Sequence, residues 1–333
     1  MLVLSQDYEL FFQKSGTVEK CLIEPCAELA SFAGRRGIPI TFFVDTGMLR
    51  AMDRFAGKSK RLARDVATIR DNLRQLAAAG HELALHVHPH WEDTRWVDGR
   101  WDFSSTRYQL RDFSDAEIAD IFRSNFALLQ ELSPKPVVSY RAGGFCIEPF
   151  TRIADLFSEL GIVVESSVVP GARLVDPEKG FDFSMLVDEP WWRFEKSPAL
   201  PADNGKFIEL PVTPNTVSLF FYWGRLIDRL GPSRRSENYG DGVSKAIGRK
   251  EILRRLLGGS RTSELSIDDA KAEYLVPLAA SSPPRPIWHL MGHPKLLSQR
   301  SLAALDGFVA KTGVRRYRSV SSVAREICAN GPD

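Results

Sequence analysis

The sequence predicts a parallel α/β protein whose strands close, or nearly close, into a barrel. Three observations predict it. Short apolar runs alternate with amphipathic helical stretches, seven such runs recur along the chain, and their polar residues gather near the C-terminal ends. The same alternation also allows a doubly wound open sheet, which is the alternative.

The strand candidates are 2–8, 39–45, 82–88, 137–141, 161–168, 206–212 and 286–292, with a last weak one at 316–319. Each is rich in the apolar and β-branched residues that suit a buried pleated surface. Between them, Leu62, Val66, Ile69, Leu73 and Leu76 recur at helical spacing over 61–78, and Gly80 ends the run. Over 115–132, Ile118, Ile121, Phe122, Phe126 and Leu129 repeat the pattern behind Ser114, a fitting N-cap. Segments 147–160 and 297–311 follow the same scheme.

The stretch at about 213–285 is irregular. It holds an aromatic cluster at 219–223, a polar Gly/Ser-rich loop near 232–243 and a basic, helical 244–257. No Pro/Gly/Ser linker sets off a second core, so residues 1–333 read as a single domain with an elaboration at that place.

Charge and composition exclude several classes. Forty-four basic against forty-two acidic residues leave a formal charge of +2, without the strongly basic face of a nucleic-acid binder. Arg249, Lys250, Arg254 and Arg255 read as a solvated helix face. Cys21, Cys26, Cys146 and Cys328 lack CxxC spacing and read as reduced thiols. Met1 to Leu4 is apolar but is broken by Asp7 and Glu9, with no basic segment leading into an apolar core, so a cytoplasmic location is expected. No stretch approaches the roughly 20 apolar residues of a membrane span. Val217–Leu230, aromatic and then basic, would suit peripheral contact with a membrane, although covering the barrel is its simpler role.

The polar residues carry the chemistry. Asp7 and Glu9 end the first strand, Asp45 the second, and His86, His88 and His90 the third. Arg141 ends the fourth, Glu165 the fifth and His293 the seventh. Barrel enzymes build their sites on that rim. Imidazole and carboxylate together suit a divalent metal, zinc first among them, and such an ion activates water. Spacing limits the choice of ligands. Four residues of strand span about 13 Å, so His86 and His90 share an ion only if the chain curls after His88, as Pro89 allows. His86 with His88, two apart on one face, is the other pair.

Five segments, LSQDYE (4–9), GIPITFFV (37–44), GHELALHVHPH (80–90), SYRAGGF (139–145) and HLMGHP (289–294), follow one another along most of the chain. In these the chain resembles the polysaccharide deacetylases, the NodB-like group of carbohydrate esterase family four. The resemblance implies a distorted seven-stranded (β/α) barrel and the hydrolytic removal of an N-acyl group, usually acetyl, from an amino sugar. It makes Asp7 the general base, Arg141 the residue that orients it, and His293 the acid that protonates the leaving amine. His86 and His90 become metal ligands, with His88 as the alternative, and Gly144 falls near the oxyanion-hole amide. The family commonly has two adjacent aspartates where this chain has Asp7-Tyr8-Glu9, so Glu9 or Asp7 itself is the carboxylate ligand. Glu165 is a candidate acidic partner for the last histidine, and His289 reads as structural or supporting.

Trp91, Trp96, Trp101 and Phe103 lie on the loop after the third strand, where Asp98-Gly99 marks a hairpin turn. Trp191 and Trp192 follow the fifth strand. Aromatic faces suit sugar rings, and Trp91 is the first candidate for substrate contact. A cytoplasmic enzyme of this kind would act on a nucleotide-linked or lipid-linked amino sugar, or on an oligosaccharide precursor of a surface polysaccharide. Two alternatives stand beside this reading: an amidase of the same fold acting on a non-sugar amide without metal, and a non-catalytic carbohydrate-binding barrel.

Overall fold

A computed structural model of the chain describes residues 1–104, 106–176, 178–218, 221, 223, 238–244, 257–258 and 260–330. Most of the aromatic cluster at 219–223, the polar loop at 232–243 and the basic segment at 244–257 lies outside these described residues, as does most of Val217–Leu230.

Seven strands build the barrel wall: β1 (Leu2–Tyr8), β2 (Ile40–Asp45), β3 (Glu82–Val87), β4 (Ser139–Ala142), β5 (Val164–Glu165), β6 (Phe207–Glu209) and β7 (Trp288–Leu290). They pair in parallel in the order β6-β5-β4-β3-β2-β1-β7. Trp192–Phe194 adds an antiparallel edge to β6, and Tyr317–Arg318 pairs with β1. The ends of this strongly curled sheet meet beyond β6. There Thr213 donates its N–H to the His289 carbonyl at 3.0 Å and accepts the His289 N–H on its hydroxyl at 2.9 Å. The result is a distorted barrel of the kind expected.

Helices cover the outside, as parallel pairing demands. They are α1 (Glu24–Gly34), α2 (Thr46–Ala56), α3 (Lys60–Ala78), α4 (Asp115–Leu132), α5 (Ala154–Leu160), α6 (Leu275–Ser281), α7 (Gln299–Thr312) and α8 (Val320–Asn330). Their starts follow capping chemistry. Asp45, Ser59, Ser114 and Ser298 each accept a backbone N–H from the first turn, and Ser114 forms a capping box with Glu117. The expected helix at 147–160 is helical only from Ala154, because Pro149 and a 3-10 turn at Phe150–Arg152 precede it. The expected strand at 161–168 pairs only at Val164–Glu165. Past that point the N–H groups of Ser167 and Val168 go to the Glu165 and Glu209 carboxyls instead of a ladder.

Strand alternation sorts the side chains into two layers. Leu2, Leu4 and Tyr8 of β1 join the large core beneath the helices. Val3 packs with Phe43, Ala84 and Ile208 against Val320, Val323, Ala324 and Ile327 of α8, which closes the N-terminal mouth of the barrel. Ser321 N–H meets the Glu82 carboxyl there at 2.9 Å. Above this floor the inward positions of β1 become polar, first Ser5 and then Asp7. The period of two therefore turns an apolar plug into a polar site within a few residues of the same strand.

Glu165 and Glu209 sit opposite one another in the β5–β6 register and are completely buried. Burial, with the adjoining Glu165 carboxyl, pushes Glu209 well above its ordinary 4.5, so the native state holds a proton that the unfolded chain loses near that pH. Stability from this group is therefore full below pH 4.5 and falls as pH rises toward the folded pKa. Glu209→Gln keeps the shape of the neutral acid and removes the titration. Its thermal midpoint should match the native chain at pH 4 and exceed it by roughly 4 °C or more at pH 8; midpoints that differ equally at both pH values would refute the protonated pair.

Candidate active site

At the C-terminal rim, Arg141 of β4 reaches across the interior to β1. Its Nη1 donates to Asp7 Oδ1 at 2.6 Å, Nη2 to the Ser5 and Ser166 hydroxyls at 3.0 and 3.2 Å, and Nε to the Ser166 carbonyl at 2.8 Å. Its guanidinium carbon lies 4.0 Å from the Phe43 ring centre. Burial raises the Asp7 pKa, but Arg141, followed by His86 and His293, outweighs it and holds the carboxyl below its ordinary value. Asp7 is thus a fixed carboxylate in a water-poor site.

Its second oxygen faces two imidazoles. Asp7 Oδ2 lies 3.9 Å from His293 Nε2 and 4.0 Å from His86 Nε2. His293 follows β7 and is held by Asp268, whose Oδ2 lies 2.9 Å from Nδ1 while Oδ1 accepts the His293 N–H at 2.7 Å. Burial alone would lower the His293 pKa; Asp268 more than reverses this and lifts it to about 9. The residue that partners His293 is therefore Asp268, and Glu165, the candidate drawn from sequence, is committed to Glu209 and Ser167 instead. Asp268 reaches its place because residues 265–267 run beside the end of β7, with Ile267 N–H on the Met291 carbonyl at 2.9 Å and Met291 N–H on the Leu265 carbonyl at 3.1 Å.

Glu9, His86 and His88 form a second group, with one potential ligand atom from each lying within 4.8 Å of the others. Glu9 Oε2 is 3.4 Å from His86 Nε2 and 2.7 Å from His88 Nε2. His86 Nδ1 lies 2.9 Å from the Arg141 carbonyl, so Nδ1 carries the hydrogen and Nε2 presents its lone pair. His86 Nε2 is buried without a well-aligned hydrogen-bond partner, and Glu9 Oε2 has only the two imidazole nitrogens beside it. A buried carboxylate oxygen and two imidazole nitrogens gathered at one spot fit a divalent cation. Asp7 and Glu9 raise the His86 pKa against the effect of burial, so a proton on Nε2 competes with an ion for the same place.

His90 is not in this group. The chain does curl after His88, as a 3-10 turn at Pro89–Glu92, but the buried His90 ring packs among aromatic rings instead. It stacks on Tyr108 with centroids 5.6 Å apart and planes 9° from parallel, and it meets Phe12 edge-on at 4.6 Å. His88 takes the place beside Glu9 because strand alternation puts it on the same face as His86. Its ring fits only against a glycine, since a Cβ on Gly143 would come within 2.5 Å of His88 Nδ1.

The other expected residues find different settings. Trp91 is 1% exposed and gives its indole N–H to Asp45 at 2.6 Å, so it offers no face to a substrate. Gly144 adopts a left-handed φ of +61°, and a Cβ there would lie 2.8 Å from the Tyr108 hydroxyl. Asp45 serves as the N-cap of α2. His289 bridges the Ser5 hydroxyl at 3.0 Å and the Pro211 carbonyl at 3.1 Å, and burial beside Arg141 lowers its pKa to about 3, which makes it a neutral support. Sequence reading missed Asp268, Gly143 and Lys295. Of these only Asp268 left a signal, an aspartate pair in an otherwise irregular stretch.

Several solved structures of low identity are similar to the chain over most of its length. Puue allantoinase is 14% identical, over 100% of this chain and 91% of that one, with a TM-score of 0.48. A Mycobacterium smegmatis protein assigned as a polysaccharide deacetylase is 16% identical over 98% of this chain and 91% of that one, with a TM-score of 0.43. The Bc1960 peptidoglycan N-acetylglucosamine deacetylase is 10% identical over 96% and 86%, at 0.39. At these identities the likeness concerns fold alone. No family model and no curated protein matches the chain.

Separate removal of the histidines tests the ligand group. His86→Ala and His88→Ala should each weaken zinc binding by roughly 100-fold or more, whereas His90→Ala should leave it within a few-fold. Calorimetric titration of the three proteins decides it, and a His90→Ala loss as large as that of His88→Ala would contradict the grouping.

Proposed function

We propose that the protein is a metal-dependent amide hydrolase that removes an N-acyl group, acetyl first among them, from an amino sugar. One observation carries this reading. A carboxylate held by Arg141 and an imidazole held by Asp268 face each other at 3.9 Å on a barrel rim, beside three potential ligands for a divalent cation. Amide hydrolysis needs a base for water, an acid for a poor amine leaving group and a counter-charge for the oxyanion.

Asp7 supplies the base. Arg141 occupies Oδ1, so Oδ2 is the oxygen aimed into the site to receive the proton of the attacking water. His293 supplies the acid, because Asp268 holds its Nδ1 and leaves Nε2 to protonate the departing nitrogen. Glu9, His86 and His88 would hold the ion, which when bound lowers the pKa of water toward ~7 and polarises the carbonyl under attack.

A cavity of about 460 Å³ is lined by Phe12, His90, Trp101, Phe103 and Tyr108, with Gln13 and Lys179 among its polar groups, and reaches the ligand group through Phe12, whose ring meets His88 edge-on at 4.6 Å. Its aromatic walls suit a sugar ring, and the polar groups suit hydroxyls. A nucleotide-linked, lipid-linked or oligosaccharide form of the amino sugar, met in the cytoplasm, is the substrate class we favour. No helix among the described residues is long and apolar enough to cross a membrane.

One feature supports a second reading, an amidase without metal. Arg141 pairs with Asp7 at 2.6 Å and Lys295 with Glu9 at 2.8 Å, so both carboxylates are matched by a cation without any ion. Acetate release from a panel of N-acetylated amino sugars, before and after chelation, separates the two. The expected outcome is activity that chelation abolishes and zinc restores, with Asp7→Asn and His293→Ala each lowering kcat by roughly 10²–10⁴-fold. Activity that survives chelation transfers the assignment to the metal-free amidase, and full activity in Asp7→Asn removes the mechanism altogether.

A further inference from the structure

Lys295 belongs to neither the base–acid pair nor the ligand group, yet it is bound to a member of the latter, Glu9. It lies two residues beyond His293 in the 3-10 turn Pro294–Leu296 and is 5% exposed. Its Nζ donates to Glu9 Oε1 and to the Leu10 carbonyl, each at 2.8 Å, and stands 5.1 Å from the ring centres of Phe11 and Phe12. Glu9 is equally enclosed, at 5% exposure. An ammonium in such a place is tolerated only because the carboxylate and the carbonyl compensate it.

Two consequences follow for the ligand group. Lys295 occupies Oε1 of Glu9, so the carboxylate presents Oε2 alone to His86 and His88. It also cancels the charge that Glu9 would otherwise lend to a divalent ion, just as Arg141 cancels that of Asp7. Both anions nearest the ligand atoms are thus already matched, and an entering cation meets two resident positive charges.

We propose that Lys295 is a positioning residue that limits Glu9 to one ligand oxygen and keeps the centre charge-balanced when empty, so that a divalent ion binds weakly and exchanges readily. This rests on the reading of Glu9, His86 and His88 as ligands. The chemistry is electrostatic and involves no bond-making step. A like charge fixed near a cation site lowers its affinity, most strongly where water is excluded.

The test measures Co²⁺ binding to the full chain, by competition with a chromophoric chelator, together with the visible absorption of the Co²⁺-loaded protein. Lys295→Met removes the charge and keeps the stem; Lys295→Gln keeps a donor for Oε1 without charge; Lys295→Arg keeps both charge and donor. Lys295→Met should bind Co²⁺ at least about tenfold more tightly than the native chain, with weaker visible absorption as the second Glu9 oxygen joins. Lys295→Gln should gain affinity but keep the native spectrum, and Lys295→Arg should restore both native properties.

The native chain supplies a check that needs no variant. Dialysis against a mild chelator should remove the ion and leave the thermal midpoint unchanged. Variants that bind no tighter than the native chain, or a native ion that resists dialysis, would overturn the role of Lys295. Absence of binding by every protein is a different result and overturns the ligand group itself, and this role with it.

Discussion

The Arg141 guanidinium inside the barrel is the constraint on which the site depends. A cation with no exposure must have its donors answered from within, and here the answers come from three directions: Asp7 and Ser5 on β1, Ser166 beyond β5, and the Phe43 face on β2. Each answer fixes something else. Asp7 is kept ionised, the segment after β5 is held against the interior, and His289, with Nε2 3.4 Å from Nη2, is kept neutral. A lysine could not replace it, since a single ammonium lacks the planar fork that reaches all these partners and titrates more readily when buried. The carboxylate proposed as base and the packing of three strands are therefore tied to one interaction.

The pairing of Arg141 with Asp7 was expected only from the family resemblance, because the two lie 134 residues apart; what the residues themselves made legible is local to each strand. A period of two sends Ser5 and Asp7, or His86 and His88, to one face, and the apolar residues on the other face identify which side is which. Strand and helix positions were legible for similar reasons, since Ser114 and Gly80 act within a turn of the elements they end. What sequence could not show was decided over long distances. Asp268 meets His293 only because residues 265–267 lie alongside β7, and nothing near Asp268 announces that. The place of the His90 ring depends on Tyr108 and Phe12, which come from two different loops. Lys295 follows a proline after the last strand, a place that reads as surface, and it is buried by Phe11 and Phe12 far away in the chain.

Phe12 shows how one aromatic residue can divide two histidines two apart. Its ring stands 4.6 Å from both His88 and His90, edge-on to each, yet the two rings have opposite neighbours. His88 is closed in by Gly143 and Glu9, while His90 is stacked between Trp91 and Tyr108 at the wall of the aromatic cavity. The His-x-His-x-His run thus contributes two residues to the polar centre and one to the surface that a substrate ring would meet.

Charge pairing then separates the tasks of chemically similar groups. Besides Asp45, which caps α2 and accepts the Trp91 indole N–H, three carboxylates converge on the rim, and each of these has its own basic partner: Asp7 with Arg141, Glu9 with Lys295, Asp268 with His293. In a medium that solvates charge poorly, an unmatched carboxylate would take up a proton and cease to be useful as base or ligand. Pairing prevents this, and it also chooses an oxygen. Arg141 takes Oδ1 of Asp7 and leaves Oδ2 toward His293; Lys295 takes Oε1 of Glu9 and leaves Oε2 toward His86 and His88. The two carboxylates, only two residues apart on one strand face, thereby differ in their nearest contacts: Asp7 Oδ2 stands 3.9 Å from His293 Nε2, whereas Glu9 Oε2 stands 2.7 Å from His88 Nε2 and its Oε1 3.7 Å from His293 Nε2. The basic residues decide which oxygen of each is left uncommitted.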